Sequence, residues 1–217
     1  MKILALESSA VAASVAVSED GALIAQSYQR SGLTHSRTLM PMCRDLLENC
    51  GLTLGEMDVV AVAAGPGSFT GLRIGVAAAK GLAWPGDKPC AVMDARRHQV
   101  YNARFRAEGG RLLRLCPDRA ISIDELAAEL LSREKTQILV GDGAELCYNE
   151  LTKRGLPVRL APPHLRWQSA WGVARAAEEL ARTGGLVTAA ELAPVYHRLS
   201  QAERERLARQ QAAADDR

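Results

Sequence analysis

The chain has 217 residues, of which 47% are hydrophobic and 24% are charged, with a formal net charge of +2. This length supports one large domain or two small ones, and so mild a charge is by itself no reason to infer a nucleic-acid partner. The five cysteines are scattered without Cys-x-x-Cys pairs, which predicts buried thiols in a reducing compartment. The apolar run after Met1 is short for a signal peptide and no stretch is long enough to span a bilayer, so we expect a cytoplasmic protein without a membrane partner.

The first part of the chain predicts a β-meander followed by a helix and a strand. Short β-type runs lie at 3–6, 13–17 and 23–28, and Glu19-Asp20-Gly21 is a hairpin signal between the second and the third. From Arg37 to Cys50 apolar residues recur on one helical face, and Gly51 follows as a stop signal. The apolar run at 59–64 then predicts a buried strand.

A glycine-rich loop that becomes a helix is the most informative feature of the chain. Gly65-Pro66-Gly67 turns the chain out of the strand, and Ser68 is placed to cap the helix that follows. Residues four positions apart share one face of a helix, and here that face carries only small side chains: Gly71, Gly75, Ala79 and Ala83.

A glycine inside a helix costs roughly 1 kcal/mol relative to alanine, so the small-residue face indicates that another element packs closely against it. A helix of a second chain and an element of this chain are equally good candidates. A phosphate at the helix start is less favoured, because the loop lacks the Gly-x-x-x-x-Gly-Lys-Ser/Thr order of a nucleotide P-loop. For a partner interface, the predicted contacts are Gly71, Arg73, Ile74, Gly75, Ala78, Ala79 and Leu82.

The rest of the chain repeats the same order of elements. Strands are predicted at 90–94, 100–106 and 111–116, a helix at 123–133, a strand at 137–140, a helix ending near 154, a short strand at 158–160, and a last long helix over about 169–182. Three strands, helix, strand, helix, twice over, predicts an internal duplication. After Glu203 the charged, alanine-rich composition predicts a frayed or disordered tail.

Two acidic residues occupy corresponding places in the two halves. Glu7 ends the first strand, and Asp94 ends the strand at 90–94. In phosphotransferases with two such halves, strand-end acids orient a metal while nearby hydroxyls and glycines hold phosphates. The favoured alternative is that Glu7 is a solvated strand end and that Asp94 pairs with a neighbouring arginine. The candidate vestigial nucleotide site comprises Glu7, Ser8, Ser9, Gly65, Gly67 and Asp94.

Other side chains suited to chemistry are isolated. The four histidines include no His-x-x-x-His pair, so no metal site is predicted, and no serine or cysteine has a recognisable base. Seven arginines between residues 96 and 119 form the densest basic stretch, with Arg104 and Arg106 on one strand face. The stretch lacks the aromatic pattern of a single-strand binding platform, so a solvated face is the favoured interpretation.

Several segments together resemble one family, the bacterial TsaB (YeaZ) proteins of the actin-like, sugar-kinase and Hsp70 ATPase superfamily. The resemblance rests above all on Gly65-Pro-Gly-Ser-Phe-Thr-Gly-Leu-Arg-Ile-Gly75 with Ala79-Lys-Gly-Leu-Ala83. It extends over nearly the whole chain through residues 3–9, His35-Ser36 with Leu39-Met-Pro41, Asp94-Ala-Arg-Arg97, Gly141-Asp-Gly143, and 194–203.

The resemblance implies an α/β fold of two duplicated RNase H-like subdomains, each a mixed sheet flanked by helices. It also implies a non-catalytic scaffold subunit of the complex that installs N6-threonylcarbamoyladenosine at position 37 of tRNAs reading A-starting codons. The chain would stabilise the catalytic paralogue TsaD through its N-terminal helices, the ATPase TsaE would complete the assembly, and tRNA would be reached indirectly. No cofactor or metal would bind tightly to the chain itself; ATP and magnesium would bind only at the partner interface, and the chain alone would form homodimers through the same patch.

Two departures from the family pattern bear on the fold. Glu7-Ser8-Ser9 stands where the family usually has Asp-Thr-Ser, which weakens the case for independent nucleotide chemistry. Between Pro85 and Cys90 a strand and a helix of the family are missing, so the first sheet should be shortened and have an exposed edge. We predict an N-terminal subdomain at 1–88, a C-terminal subdomain at 89–200 whose last long helix packs back on the first, and a charged tail at 201–217.

A function of another class stays open at this stage. An ATP-dependent small-molecule kinase or carbamoyl-type transferase would use Glu7, Asp94 and the glycine loops, and magnesium-dependent nucleotide binding by the isolated chain would favour it. A peptidase, occasionally suggested for relatives of this superfamily, is disfavoured because the sequence offers no activated nucleophile and no metal pair.

Overall fold

The computed structural model describes residues 1–65, 67–93, 100–109, 111–117, 119–132 and 135–195. Its strands are β1 (Lys2–Glu7), β2 (Ala13–Glu19), β3 (Ala22–Gln29), β4 (Val59–Ala63), β5 (Cys90–Met93), β6 (Val100–Asn102), β7 (Phe105–Glu108), β8 (Arg111–Arg114), β9 (Arg119–Ile121), β10 (Gln137–Leu139) and β11 (Val158–Leu160). Its helices are α1 (His35–Asn49), α2 (Phe69–Ala83), α3 (Ile123–Leu131), α4 (Ala144–Lys153) and α5 (Ala170–Arg182).

A five-stranded mixed sheet organises the first half, in the spatial order β3-β2-β1-β4-β5. Strands β1, β2 and β3 form the expected antiparallel meander, and β4 and β5 run parallel to β1. The β2–β3 turn has positive φ at Asp20 (47°) and Gly21 (81°), the backbone that tight two-residue hairpins require. The predicted meander and its hairpin signal are therefore confirmed.

Helices α1 and α2 cover the front face of this sheet. Each lies on a connection leading to a parallel strand, where the chain must cross over from one end of the sheet to the other. Their apolar stripes and the front-facing strand residues make one buried cluster, which includes Leu4, Leu6, Val15, Leu39, Met42, Leu46, Val60, Val62 and Val76.

Helix α5 covers the back face, far along the chain from the strands that it contacts. The buried contacts come largely from alanines, among them Ala5, Ala16 and Ala61 of the strands and Ala174 and Ala177 of the helix. Small side chains on both surfaces let the helix lie close to the sheet. The prediction that the last long helix packs back on the first subdomain is confirmed.

Residues 185–195, which we call the strap, run from α5 around the β5 edge of the sheet to the front. The backbone of Val187 pairs with that of Cys90 through hydrogen bonds of 2.7 and 2.9 Å. Leu192 is fully buried in the front cluster, and the Val195 N–H donates to the carbonyl oxygen of Ala64 (2.9 Å). The strap therefore covers an edge that would otherwise be open and ties the back helix to the front layer.

The expected shortening of the first sheet is wrong. Residues Cys90–Met93, expected to begin the second half, pair in parallel with β4, from Val60 opposite Cys90 to Ala63 opposite Met93. This uncharged segment suits a position between β4 and the strap, where Cys90 and Ala91 are buried. The predicted subdomain boundary at residue 88 therefore falls inside the first sheet.

The second half is smaller and less continuous. Its described residues form an antiparallel β6–β9 pair, an antiparallel β7–β8 hairpin and a parallel β10–β11 pair, and α3 and α4 share a small core with residues around them. The α/β class is confirmed, with a mixed sheet flanked by helices, but a second five-stranded sheet is not found among these described residues. The segment expected to supply its first strand is β5 of the first sheet.

Candidate functional site

The loop before α2 is bonded to the end of β1. The Ser68 hydroxyl accepts the Gly71 N–H (3.3 Å), which confirms the predicted helix cap. The Ser68 N–H donates to the Ser9 carbonyl oxygen (2.6 Å), and the Ser8 hydroxyl donates to the Gly71 carbonyl oxygen (2.9 Å). The start of the helix is therefore held against residues 8 and 9.

The glycines of this region are required by that close approach. A Cβ atom added at Gly71 would overlap the backbone oxygen of Ser8, and one added at Gly67 would overlap the backbone of Ser9. At Gly75 the added atom would overlap the Ser8 hydroxyl and lie 3.2 Å from a Val62 methyl group. Only glycine lets helix and strand end come this close.

The predicted partner face is therefore wrong in its central residues. Gly71, Gly75 and Ala79 are all buried in this chain, where they face the first sheet and the end of β1. The small-residue pattern was produced by an element of the same chain, which was one of the two interpretations left open by the sequence.

The opposite side of α2 is the exposed one, and it lies beside the exposed side of α1. We call the following residues the outer helix surface: Met40, Pro41, Arg44, Arg73, Ala77 and Gly81. Met40 is 45% exposed, and a Cβ added at Gly81 would meet nothing within 4 Å. Sequence reasoning missed Ala77 and Gly81, although they repeat at the same four-residue spacing from Arg73.

The remaining predicted contacts lie on or beside this surface. Arg73 is exposed, and its guanidinium carbon lies 4.0 Å from the centroid of the Phe69 ring. Ile74, Ala78 and Leu82 are half-buried and pack against the front core cluster. Their part in a partner interface stays a prediction.

Glu7 is a buried carboxyl group, so its interpretation as a solvated strand end is wrong. Its side chain is only 4% exposed, and Oε1 accepts the Ser9 N–H (2.6 Å). Burial raises the pKa of Glu7 above its ordinary value, while the hydrogen bonds from Ser9 act in the opposite direction. Ser8 and Ser9 are buried as well.

Side chains from two distant segments, His35 and Asp142, influence Glu7. His35 Nε2 lies 2.8 Å from the Ala10 carbonyl oxygen, and the Gln168 amide donates to Asp142 (3.2 Å). His35 lowers the pKa of Glu7, whereas Asp142 raises it. Within the described part of the chain, His35 Nδ1 and Gln168 Oε1 are buried and have no hydrogen-bond partner. Asp94, the other predicted acid, lies outside the described residues.

Three N–H groups at the start of α2 are engaged within the chain. Ser68 donates to Ser9, Gly71 donates to the Ser68 hydroxyl, and the Leu72 N–H donates to the Ser68 carbonyl oxygen (2.8 Å). A phosphate at a helix start needs such donors free to point at it. The Ser68 and Gly71 N–H groups therefore help to hold the start of α2 against β1.

The arginine stretch is divided between several environments. Arg104 and Arg119 both bind Glu129, at 3.0 and 2.6 Å, and the two guanidinium groups lower the pKa of that carboxyl. Arg106 pairs instead with Glu108. The prediction that Arg104 and Arg106 share a strand face is wrong, because Arg104 lies between β6 and β7. The arginines at 96 and 97 lie outside the described residues.

Two further searches covered the described residues only. No group of three or more His, Cys, Asp or Glu side chains in them is arranged to hold a metal ion. None of their helices combines the length and the apolar composition needed to cross a membrane.

The chain is similar to known proteins along most of its length. The family model described as TsaD, tRNA N6-adenosine threonylcarbamoyltransferase, matches residues 29–93. The tRNA threonylcarbamoyladenosine biosynthesis protein TsaB of Bacillus subtilis (strain 168) is 29% identical over 167 residues, which are 67% of this chain and 73% of the relative. The protein of the same description from Escherichia coli (strain K12) is 31% identical over 131 residues, 50% of this chain and 56% of the relative.

A solved structure shows that the likeness extends to the fold. YeaZ from Pseudomonas aeruginosa matches with a TM-score of 0.70 at 25% identity, over 90% of this chain and 99% of that one. In sequence and in fold the chain is similar to the TsaB (YeaZ) proteins. The resemblance found in the sequence motifs is thereby confirmed.

The position of the match to the TsaD family model is informative. It runs from residue 29, the end of β3, to residue 93, the end of β5. It therefore contains α1, β4 and α2, with the whole of the outer helix surface. The part of the chain shared with the threonylcarbamoyltransferase model is therefore the front helix layer together with strands β4 and β5.

Proposed function

We propose that this chain is the accessory TsaB subunit of a bacterial complex that makes N6-threonylcarbamoyladenosine in tRNA. The observation that supports this most directly is the likeness to TsaB proteins in sequence together with the likeness to YeaZ in fold. In this proposal catalysis belongs to a paralogous TsaD subunit, which this chain stabilises and positions. The ATPase TsaE completes the assembly, and this chain reaches the tRNA indirectly through the complex.

The outer helix surface is the proposed docking site for the paralogue. It is exposed, and Met40, Pro41, Ala77 and Gly81 give it apolar or small side chains that let a second pair of helices approach closely. Because the paralogue shares the α1–α2 layer, the two subunits would present related helix pairs to one another. Without the paralogue, two copies of this chain would pair through the same surface.

A non-catalytic role agrees with the chemistry near Glu7. The hydroxyl of Ser8 and the N–H groups of Ser68 and Gly71 are engaged in holding α2 to β1. We therefore propose that the isolated chain holds no nucleotide tightly, and that ATP and magnesium bind only where the paralogue contributes residues.

Light scattering on the purified chain mixed with the TsaD paralogue tests the proposal. We expect a stoichiometric heterodimer, which Ala77→Glu should weaken at least tenfold, because it buries a charge in the interface without touching the core. Ala128→Glu is the matched control, since Ala128 is an exposed helix residue of the second half.

Three results would contradict parts of this proposal. A chain that forms no complex with the paralogue at micromolar concentration would remove the scaffold role. Heterodimers that tolerate Ala77→Glu as well as Ala128→Glu would exclude the outer helix surface. Calorimetry that shows tight, magnesium-dependent ATP binding by the chain alone would favour the kinase or transferase alternative.

A further inference from the structure

Aromatic and arginine side chains gather where the end of β3 meets the start of α5. This aromatic–arginine cluster comprises Tyr28, Arg30, Trp167, Trp171 and Arg175. The guanidinium carbon of Arg30 lies 4.1 Å from the centroid of the Trp167 ring, and that of Arg175 lies 5.7 Å from the Trp171 ring. Cations at these distances are attracted to the faces of the rings.

The fold assembles this cluster from segments about 140 residues apart. Tyr28 lies opposite Ser14 in the β2–β3 ladder, and the Ser14 hydroxyl accepts the N–H of Ala170, the first residue of α5. The same hydroxyl donates to the Ser27 carbonyl oxygen (3.0 Å). A single buried serine thus fixes the start of α5, and with it Trp171, against the end of β3.

Arg30 differs from the other arginine of the cluster. Arg175 is bound to Glu178 at 2.6 Å, whereas Arg30 is exposed and forms no ion pair with any described carboxylate. Tyr28 is close enough that Arg30 lowers its pKa, although partial burial raises it more. The planar, charged Arg30 side chain is therefore backed by an indole ring and flanked by a phenol.

We propose that the Arg30–Trp167 stack, with Tyr28 beside it, is a contact site for an unpaired base of RNA. Proteins recognise single-stranded RNA by stacking bases on aromatic rings and on arginine guanidinium planes, and the arginine charge also attracts the phosphate backbone. That the RNA is a tRNA rests on the proposed function. The α5 side of the sheet, where the cluster lies, is opposite the layer formed by α1 and α2, so RNA and the paralogue could bind together.

Fluorescence anisotropy with a labelled tRNA anticodon stem-loop tests the site on the full chain, alone and with the paralogue. Trp167→Ala and Arg30→Lys should each weaken binding about fivefold or more, because lysine keeps the charge but not the stacking plane. Trp167→Phe, which keeps a ring, should retain most of the affinity. The matched controls are Trp84→Ala, at an exposed tryptophan elsewhere, and Arg182→Lys, at an exposed arginine of α5.

The outcomes separate this inference from the proposed function. Wild-type affinity in both Arg30→Lys and Trp167→Ala, with thermal melting showing folded proteins, would overturn the RNA site even if the heterodimer forms. Equal losses in the Trp84→Ala and Arg182→Lys controls would overturn it too, since binding would then be general. A chain that ignores the paralogue but binds RNA in an Arg30- and Trp167-dependent way would support the RNA site while removing the scaffold role.

Discussion

The two halves of this chain are built from the same kinds of element, yet they are organised differently. The first has a five-stranded sheet covered by α1 and α2 in front and by α5 behind, with 20 and 11 described residues in its two buried clusters. The second has three two-stranded sheets in its described residues and a buried cluster of seven. The comparison shows where the stability of the fold is concentrated, because buried apolar area is the main driving force for folding.

The difference follows from the placement of one short strand. After β4 the chain forms α2 and a short turn, and only a few residues separate the end of that turn from Cys90. The next apolar segment therefore joins β4 and becomes β5. Cys90–Met93 thus adds to the first sheet, and the described residues of the second half form only two-stranded sheets.

The largest expected effect concerns the inward side of α2. Gly75→Leu should prevent folding of the first half, because its first side-chain atom alone would overlap the buried Ser8 hydroxyl. Urea unfolding followed by circular dichroism measures the effect.

Gly81→Leu makes the same substitution on the outward side, where it meets open space. There it should raise stability by up to about 1 kcal/mol, since leucine is the better helix former. If Gly75→Leu and Gly81→Leu unfolded at the same urea concentration, the assignment of the two sides of α2 would be wrong.

A smaller effect should distinguish the two halves from each other. Leu192 and Leu151 are both fully buried, the first where the strap packs on the front cluster and the second in the small cluster of the second half. Replacing either by alanine should cost about 2–5 kcal/mol in local stability. Leu192→Ala should speed amide exchange in β1 and β4, whereas Leu151→Ala should speed it only in α3 and α4.

Hydrogen-exchange mass spectrometry resolves these segments. Equal acceleration of β1 and β4 by Leu151→Ala would mean that the two halves unfold as one unit, and the contrast drawn between them would not extend to their stability.

The smallest expected effect is a pH dependence that originates at Glu7. Burial raises the folded-state pKa of this carboxyl, so the protonated form is favoured by folding, and its stabilising contribution is lost as the pH rises through that raised pKa. Glu7→Gln should remove this dependence and be more stable than the wild type at pH 8, because its amide oxygen can still accept the Ser9 N–H.

Urea midpoints from pH 4 to pH 8 provide the measurement, and Glu48→Gln, at an exposed helix position, is the control. The two proteins should converge in acid. A wild type whose stability rises relative to Glu7→Gln toward pH 8 would show that the carboxylate is stabilised rather than disfavoured by its surroundings.

Much of the first half was predictable because its signals are local. The hairpin at Asp20 and Gly21, the cap at Ser68 and the apolar stripe of α1 depend on neighbouring residues, and the structure contains all three. The short strand β9 was missed, since three residues carry too little periodicity to be recognised.

The site was predicted less well, because its signals depend on partners distant in the chain. Glycines at 71 and 75 indicate a close neighbour in either case, and spacing alone does not distinguish a strand end of the same chain from a helix of another. The sequence does not predict that Tyr28, Arg30 and Trp167 lie together, because β3 and α5 meet only in the folded protein.

The sequence by itself determined the likeness to TsaB proteins, the meander, both front helices and the need for a close contact along α2, because motifs, caps and periodicity are set by residues close together in the chain. Only the tertiary structure decided that Ser8 makes that contact, that Cys90–Met93 completes the first sheet, and that Glu7 is buried. Each of these depends on which distant segment packs on a given edge or face. That choice is set by the total apolar area buried and the hydrogen bonds satisfied across the whole fold.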